Sequence, residues 1–430
     1  MSCDWGRVPL SSLGKIVTGK TPPSKVIDAF VNGSVPFVTP RDLDDRKWIK
    51  TTERYLSNTG LESVKGNIVP AHSVAVSCIG SDMGKARLLS VKSVTNQQIN
   101  TILVNSELHN PEYIYYVLST KQQSLKDIAG GSATPILNKS HFGQFEIDLP
   151  SKGYQNAVVD VLRGLDSKIE INTQTNQTLE QMAQAIFKSW FVDFDPVKAK
   201  MNGEQPEGMD AATASLFPEK LDSETGIPVG WSQGIIADIA KLNAKSWTKK
   251  NQPEQVHYVD LANTKNGVIE TVTTYDFDEA PSRARRVLNS GDTIVGTVRP
   301  GNRSFAFIGE TEQPLTGSTG FAVLSPKEEF WTSFVYLATT NDDAIDEYAR
   351  LADGGAYPAI KPVVVADTPC VIPTTDIAQK FWQLTGAMLK KAHQNRLENE
   401  ELAKLRDTLL PKLLSGEIEL GETEEMAEVN

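Results

Sequence analysis

The chain has 430 residues, a length that predicts two or three domains rather than one. Hydrophobic residues make up 40% of it and charged residues 23%, proportions typical of proteins that build packed cores, and no apolar run approaches the ~18–20 residues of a membrane span. The formal net charge of −11 taken alone disfavours a protein that binds nucleic acid simply through overall positive charge.

The predicted elements change in character along the chain. Residues 1–152 contain short apolar runs, such as SVAVSCI from Ser73, separated by Gly, Pro, Asn and Asp, which predicts short strands and turns. Residues 153–200 are poor in Gly and Pro and predict a long helix, from about 154 to 192 and roughly 57 Å in length. Residues 201–227, with six acidic residues and one lysine, have linker composition.

The second half of the chain follows the same plan. Residues 228–375 predict a second mixed domain, 376–418 a second long helix, and 419–430 an acidic tail. Four sequence blocks recur in the same order at offsets of 221 to 226 residues, among them Trp5 with Trp231 and Asn172 with Asn395. This pattern predicts a duplication of one mixed domain plus one helix.

Both helices carry an apolar stripe with alternating spacing of three and four residues, which is typical of a coiled coil. Asparagine occupies the same two stripe positions in each copy, Asn172 and Asn176 in the first and Asn395 and Asn399 in the second. Buried asparagine fixes register and partner choice at a cost in stability. The alternative is a solvated edge of the stripe. Arg406 interrupts the second stripe, where Ala403 and Leu405 are candidates to replace it.

Because one such helix cannot bury its stripe alone, we expect the two helices to pack together and to hold the mixed domains a fixed distance apart.

Residues 14–21, GKIVTGKT, match the P-loop pattern GxxxxGK[ST] of nucleotide-binding enzymes, from Gly14 to Thr21. A P-loop must open a helix, whereas Pro22 and Pro23 follow at once and favour an extended turn. We therefore favour a basic turn in which Lys20 and Thr21 meet a phosphate backbone.

Other catalytic and ligand motifs are missing from the sequence: it has no GxSxG, HExxH or paired Cys-x-x-Cys. Its three cysteines are scattered and its five histidines share no ligand spacing, so neither a disulfide framework nor a zinc site is expected. The N-terminus has no signal-peptide pattern. We expect a non-enzymatic recognition or scaffold protein in the cytoplasm, with no metal or cofactor of its own.

Several motifs resemble the DNA-specificity subunit of type I restriction–modification enzymes. They are AIFKSWFVDFDP at 185–196, LLPKLLSGEI at 409–418, GKTPP at 19–23, NQQIN at 96–100 and the Asn138-Lys139 turn. The resemblance covers essentially the whole chain, although the second mixed domain matches more loosely.

The resemblance implies an α+β fold with two mixed α/β target recognition domains, built on twisted and partly barrel-like sheets. Two long antiparallel coiled-coil helices would join them in a pseudo-twofold internal repeat. Each domain would bind one half of a split double-stranded DNA sequence. Two modification subunits with S-adenosylmethionine and adenine-N6 methyltransferase chemistry would dock on the helices, and restriction subunits with ATP-driven translocation and Mg²⁺ would join them.

In the first domain, the candidate DNA-binding residues occupy predicted turns. Residues 1–150 carry 16 basic and 13 acidic side chains, so this domain is mildly basic. Arg41 can address guanine, and Gln97 and Gln98 can address adenine. The other candidates are Lys20, Thr21, Ser81, Lys85, Asn138 and Lys139. For each of them, the alternative is a solvated surface residue.

The second domain is acidic overall, with 13 basic and 18 acidic side chains in 231–375, but its arginines are clustered. Clusters of this kind favour contact with DNA phosphates or bases. The candidates are Arg283, Arg285, Arg286, Arg299, Arg303, Tyr357 and Lys361.

Two alternatives remain open at this point. One is a P-loop nucleotide hydrolase that uses residues 14–21, and the other is a coiled-coil adaptor without a nucleic-acid role.

Overall fold

The computed structural model describes residues 5–44, 46–129, 136–418 and 420. The chain divides into two compact units: unit 1 consists of Met1–Ile169 and Glu401–Asn430, and unit 2 of Glu170–Glu400. Each unit therefore contains one mixed domain and a segment of each long helix. The acidic tail predicted at 419–430 lies outside the described residues except for Leu420.

The strands of unit 1 are short and rich in β-branched and aliphatic residues, which suit a pleated, half-buried surface. They are β1 (Gly6–Pro9), β2 (Gly14–Thr18), β3 (Val35–Val38), β4 (Trp48–Ile49), β5 (Arg54–Leu56), β6 (Ile68–Val69), β7 (Val74–Ser77), β8 (Ala86–Leu89), β9 (Ser93–Thr95), β10 (Ile99–Val104) and β11 (Glu146–Leu149). They form sheets of order β2-β10-β7-β8-β4 and β5-β3-β9-β6, and β1 pairs with β11.

Unit 2 repeats this arrangement. Its strands are β12 (Ser232–Ile235), β13 (Ala240–Leu242), β14 (Gln255–Val259), β15 (Thr264–Lys265), β16 (Val268–Ile269), β17 (Thr273–Asp276), β18 (Ala284–Leu288), β19 (Thr293–Gly296), β20 (Phe305–Phe307), β21 (Leu315–Ser318), β22 (Phe321–Pro326) and β23 (Pro369–Ile372). They form sheets of order β13-β22-β19-β20 and β17-β14-β21-β18, with β12-β23 and β15-β16 as separate pairs.

The repeat extends to strand direction. In unit 1, β3 and β9 run parallel between antiparallel neighbours, and β14 and β21 do the same in unit 2. The fold is thus α+β with an internal duplication, as predicted. The prediction was of partly barrel-like sheets rather than a closed barrel, which would require the first and last strands of a sheet to pair, and the sheets among the described residues are open.

The helices include two of 40 residues each. They are α1 (Asn58–Ser63), α2 (Pro111–Ser119), α3 (Gln122–Ile128), α4 (Lys139–Gln144), α5 (Lys152–Phe191), α6 (Asp195–Met201), α7 (Ala211–Leu216), α8 (Ile236–Ile239), α9 (Thr332–Thr340), α10 (Asp342–Leu351), α11 (Pro362–Ala366) and α12 (Thr375–Leu414).

The first helical block, 153–200, contains two helices rather than one. α5 ends at Phe191, and α6 begins at Asp195 after Phe194, which adopts a left-handed conformation with φ of 57°. A non-glycine residue in this conformation interrupts helical hydrogen bonding. Pro196 then occupies the first turn of α6, where its missing N–H costs nothing.

The acidic segment 201–227 is more ordered than its linker composition indicates. Asp210 caps α7 by accepting a hydrogen bond from the Thr213 N–H at 2.7 Å. The side chain of Phe217 is only 2% exposed, and its ring lies 4.9 Å from that of Trp190 on α5. Part of this segment is therefore packed into the core of unit 2.

The core of unit 2 contains an aromatic cluster at the end of α5, where the AIFKSWF motif lies. Its members are largely buried and make ring contacts with one another; they are Phe187, Trp190, Phe191, Phe217, Trp231, Phe334 and Phe381. This cluster joins α5 and α12 to α9 of the mixed domain. The motif thus has a packing role in unit 2.

Arg406 does not leave a gap in the α12 stripe. Its guanidinium lies 3.3 Å from the Asp166 carboxylate of α5 in unit 1. Leu405, one of the two residues predicted to replace it, is 47% exposed, so that part of the prediction is wrong. An ion pair takes the position of an apolar contact at this level of the helix pair.

Candidate nucleic-acid interface

Two predicted DNA-binding turns of unit 1 lie side by side. The Lys20 N–H donates to the Thr95 carbonyl at 2.9 Å, and the Thr21 hydroxyl donates to Gln97 Oε1 at 2.7 Å. A Cβ on Gly19 would lie 2.1 Å from the Asn96 carbonyl oxygen, so only glycine permits this approach. The turn after β2 and the turn between β9 and β10 therefore form one surface, on which Lys20, Thr21 and Gln97 are exposed.

Gln98 and Arg41 belong to the same surface but differ in how firmly their side chains are held. The Gln98 side chain accepts a hydrogen bond from the buried Asn96 amide at 3.0 Å, which fixes its orientation. Arg41 is exposed on a one-turn helix, Pro40–Asp42, that follows β3. The Asn96 N–H donates to the Val38 carbonyl at 2.9 Å, which joins the two turns.

Two further turns of unit 1 connect to this surface through Cys78. Its N–H donates to the Gln98 carbonyl at 2.8 Å, and its carbonyl accepts from the Leu137 N–H at 2.9 Å. Ser81 is exposed and Lys85 half-buried in the turn after β7. We name these five linked turns (19–21, 39–42, 78–85, 96–98 and 137–139) the first loop face.

Asn138 and Lys139 begin α4 at the edge of the first loop face. Asn138 Oδ1 accepts the His141 N–H at 2.9 Å, so this side chain caps the helix. Asn138 thus has a structural role as a helix cap. Lys139 is exposed.

In unit 2, Arg283 is held in place by two neighbours. Its Nε donates to the Tyr258 hydroxyl at 2.9 Å, and its terminal nitrogen donates to Asp260 Oδ2 at 2.6 Å. The hydrogen bond to Tyr258 raises the pKa of Arg283 above its ordinary value, with a further contribution from Asp260. The Arg283 carbonyl accepts a hydrogen bond from the Thr319 N–H at 2.8 Å, which places Arg283 beside the turn after β21. The guanidinium is therefore oriented before any ligand arrives.

The two neighbouring arginines lie at a β-bulge between Ala284 and Arg286. Arg285 lies 4.9 Å from the centre of the Phe277 ring, a cation–π contact. Burial lowers the pKa of Arg286, which donates to the Ser246 hydroxyl at 3.3 Å. Arg286 is thus the least accessible of the three.

Arg299 and Tyr357 form a pair, with the guanidinium 4.5 Å from the ring centre. Tyr357 is 69% exposed, and Lys361 is exposed just before α11. Arg303 instead binds Asp342 at 2.6 Å and Asn266 at 2.9 Å, so a carboxylate holds its guanidinium as Asp260 holds that of Arg283. We name the turns 258–260, 283–286, 297–303, 318–320 and 357–361 the second loop face.

The four predicted register asparagines meet where α5 and α12 pack in unit 2. Asn172 donates to Asn399 Oδ1 at 2.9 Å, and Asn395 donates to Asn176 Oδ1 at 2.9 Å. Asn172 is 3% exposed and Asn395 is 2% exposed, so neither lies at a solvated edge. Their role in setting register stays a prediction.

Sequence reasoning missed the acidic and aromatic partners that orient the arginines, namely Tyr258, Asp260 and Asp342. These lie 20 to 40 residues from their arginines and carry no motif. It also passed over Lys249 and Lys250, which are exposed in unit 2 and whose adjacent positive charges were a usable signal.

The P-loop alternative requires a helix that begins directly after the glycine-rich loop, and the structure has none there. Gly14–Thr18 form β2, and residues 19–23 after it are not helical. Over 5–44, 46–129 and 136–418, no group of three His, Cys, Asp or Glu residues is arranged to hold a metal ion. None of the helices described here has the length and apolar character needed to cross a membrane.

Comparison with known proteins agrees with this architecture. The family model of the type I restriction modification DNA specificity domain matches residues 3–181. The MjaIX specificity subunit of Methanocaldococcus jannaschii is 26% identical over 97% of this chain and 94% of its own length. The HindI specificity subunit of Haemophilus influenzae is 26% identical over 76% of this chain and 81% of its own length.

A solved structure has the same fold. The crystal structure of the type I restriction–modification S subunit from M. genitalium superposes with a TM-score of 0.58 at 16% identity, covering 95% of this chain and 96% of that one. Residues 3–181 thus match a type I restriction modification DNA specificity domain, and the chain as a whole is similar to type I restriction enzyme specificity subunits.

Proposed function

We propose that this chain reads a bipartite double-stranded DNA sequence, one half-site with the first loop face and the other with the second. The observation that carries this proposal is that candidate side chains of each unit lie at the ends of the same parallel strand pair. Arg41 and Gln97 follow β3 and β9 in unit 1, and Arg283 contacts β14 and the turn after β21 in unit 2. Duplicated surfaces of this kind suit two half-sites separated by unread base pairs.

The two faces offer the two kinds of contact that DNA recognition needs, phosphate contacts for grip and base-edge contacts for sequence. On the first face, Gln97 presents an amide whose oxygen is held by Thr21, with Lys20 beside it. On the second, Arg283 is held by Asp260 in a fixed orientation suited to a guanine edge. The negative net charge is compatible with this role because both loop faces carry local basic groups, whatever the sum over the whole chain.

The subunit itself is non-catalytic in this proposal. The two 40-residue helices set the gap between half-sites and provide the docking surface for two modification subunits and for restriction subunits in the cytoplasm. S-adenosylmethionine, ATP and Mg²⁺ act on those partners, whose adenine-N6 methylation reports what this chain has bound.

The experiment is methylome sequencing of a host that carries this chain with its modification subunit. We expect methyl-adenine on both strands of a split motif. Gln97→Ala should relax the first half-site alone and Arg283→Gln the second alone, each by about 1–3 kcal/mol of base discrimination.

The competing functions give different results. A nucleotide hydrolase predicts ATP binding that Lys20→Ala abolishes, and an adaptor without a nucleic-acid role predicts no methylated motif and no DNA binding by the assembled complex. Either result would overturn the proposal.

A further inference from the structure

A buried polar cluster lies where α2 of unit 1 meets the two long helices. The Tyr116 hydroxyl donates to Asp166 Oδ2 on α5 at 2.5 Å and accepts from Lys47 Nζ at 2.6 Å. Lys47 lies 3.3 Å from the same carboxylate and 2.7 Å from Glu112. Tyr116 is 3% exposed, and burial, together with the Asp166 charge, raises its pKa well above the ordinary value. The phenol is therefore a permanent donor to Asp166.

Both long helices contribute to this cluster. Arg406 of α12 binds the other oxygen of Asp166 at 3.3 Å, and Arg163 of α5 binds Glu112 at 2.8 Å. Charge-assisted hydrogen bonds are short and directional, whereas apolar packing tolerates sliding. A single carboxylate, Asp166, thus fixes α2, α5 and α12 of unit 1 relative to one another.

Unit 2 contains a related contact with different chemistry. Tyr336 of α9, 220 positions after Tyr116, donates to Glu180 on α5 at 2.8 Å. Gly267, 220 positions after Lys47, lies against this pair, since a Cβ there would be 2.9 Å from the Tyr336 hydroxyl. The bond from a tyrosine to an α5 carboxylate is common to both units, and the lysine is particular to unit 1.

The cluster is joined to the first loop face through the sheet. Ile114 and Leu118 of α2 are buried against Val76 of β7 and Leu88 of β8. β7 ends at Ser77, and the turn 78–85 of the first loop face follows it directly. Because protein interiors are densely packed, a change in the tilt of α2 moves this sheet and the turns that it carries.

We propose that Asp166, Tyr116, Lys47 and Arg406 are positioning residues that hold the first recognition domain at one angle on its helices and so restrict the DNA to a single gap length between half-sites. This inference rests on the proposed function. It adds that gap selectivity depends on a polar contact within unit 1 as well as on helix length.

The test uses the full chain with its modification subunit and a set of DNA duplexes whose gap is the cognate one or one base pair shorter or longer. For Tyr116→Phe and Asp166→Asn, methylation of the altered-gap duplexes relative to the cognate one should rise about tenfold, the value of one hydrogen bond to a charged group. Both half-site sequences should stay unchanged.

Matched controls separate positioning from stability. Asp160→Asn removes an exposed α5 carboxylate bound to Arg163, and Tyr113→Phe removes a buried α2 hydroxyl that has no hydrogen-bond partner among the described residues. Both should keep the narrow gap profile. Arg406→Lys keeps a cation beside Asp166 and should retain more selectivity than Arg406→Met.

The outcomes are distinguishable. If methylation of all gap lengths falls in parallel in the Tyr116 and Asp166 variants, the cluster is merely structural and the inference is wrong. If the unchanged chain itself shows no preference for a split site, the proposed function fails instead.

Discussion

The two units share a strand order but attach their sheets to the long helices by different chemistry. Both units pack apolar residues of α5 and α12 against the mixed domain, but unit 1 adds the charged cluster around Asp166, whereas unit 2 adds aromatic rings, with Phe381 of α12 lying 4.8 Å from Phe191 of α5. The helix pair differs in the same way, since Asp166 meets Arg406 in unit 1 and Asn172 meets Asn399 in unit 2. Duplication has preserved the backbone plan while the contacts that stabilise it have diverged.

This difference implies that the units respond differently to the same kind of change. Aromatic packing contributes a large, non-directional free energy, and a buried polar cluster contributes less net stability but more geometric definition. Unit 2 should therefore lose stability when apolar volume is removed. In unit 1, removal of polar contacts should instead loosen the fixed orientation of the mixed domain on the long helices.

The largest expected effect is that of Phe381→Ala. The Phe381 ring is fully buried and contacts four aromatic rings of unit 2. The substitution should lower the free energy of unfolding of unit 2 by about 3–5 kcal/mol. Urea denaturation followed by tryptophan fluorescence measures it, because Trp190 and Trp231 belong to the same cluster.

Leu384→Ala on the same helix is the control for Phe381→Ala. Leu384 is 38% exposed, so its truncation should cost less than about 1 kcal/mol. Hydrogen exchange should show the loss of protection confined to unit 2. An equal loss throughout unit 1 would mean that the aromatic cluster stabilises both units and that the contrast is wrong.

The long helices and their asparagines could be predicted because a sustained repeat with few Gly or Pro residues is a local signal. Asn172 and Asn395 lie in the stripe and are buried as that spacing requires. The end of α5 at Phe191 agrees with the predicted end near 192, whereas α6 and the left-handed Phe194 before it could not be predicted, since a left-handed phenylalanine has no local signature. The barrel-like expectation came from resemblance alone, and strand closure depends on pairings between distant residues.

The candidate interface was predictable only in part. Turn composition located Thr21 and Gln97, but their contact joins residues 76 positions apart. An arginine cluster likewise indicates positive charge without showing how much of it is compensated. Arg303 looked equivalent to Arg299 in sequence, yet it is bound by Asp342 in space.

A smaller effect is expected at the asparagine pair of unit 2. Asn172→Ala removes the donor to Asn399 Oδ1 together with a side chain that is 3% exposed, and it should cost about 1–3 kcal/mol of unfolding free energy. Replacing Asn172 and Asn399 together by leucine removes both polar groups and should recover most of that stability. Urea denaturation of the two variants makes the comparison.

The double leucine variant also tests register. If the asparagines select the pairing of α5 with α12, it should be stable yet show additional helix pairings by disulfide trapping between paired cysteines on the two helices. A single trapped register, as in the unchanged chain, would show that the aromatic cluster alone is sufficient and that the amides are incidental.

The smallest effect concerns acid, and it should have opposite signs in the two units. In unit 1, burial opposes ionisation of Glu112, but its bonds to Arg163 and Lys47 prevail and hold its pKa below the ordinary 4.5. In unit 2, burial raises the pKa of Asp292 above the ordinary 3.8, despite its hydrogen bond from the Asn289 N–H.

The sign follows from which state binds the proton more tightly. Glu112 stabilises unit 1 fully above pH 4.5, and this contribution disappears as the pH falls through its lower folded-state pKa. Asp292 is costly to ionise in folded unit 2, so its penalty is present at neutral pH and is relieved as the pH falls through its raised pKa towards 3.8. Hydrogen exchange at pH 7 and near pH 4 measures the stability of each unit separately. Glu112→Gln should remove the pH dependence of unit 1, and Asp292→Asn should remove that of unit 2. Because the two carboxyls lie in different units, acid should weaken protection from exchange around α2 while sparing or strengthening it around β19. Parallel changes in both places would mean that groups other than Glu112 and Asp292 cause the acid response.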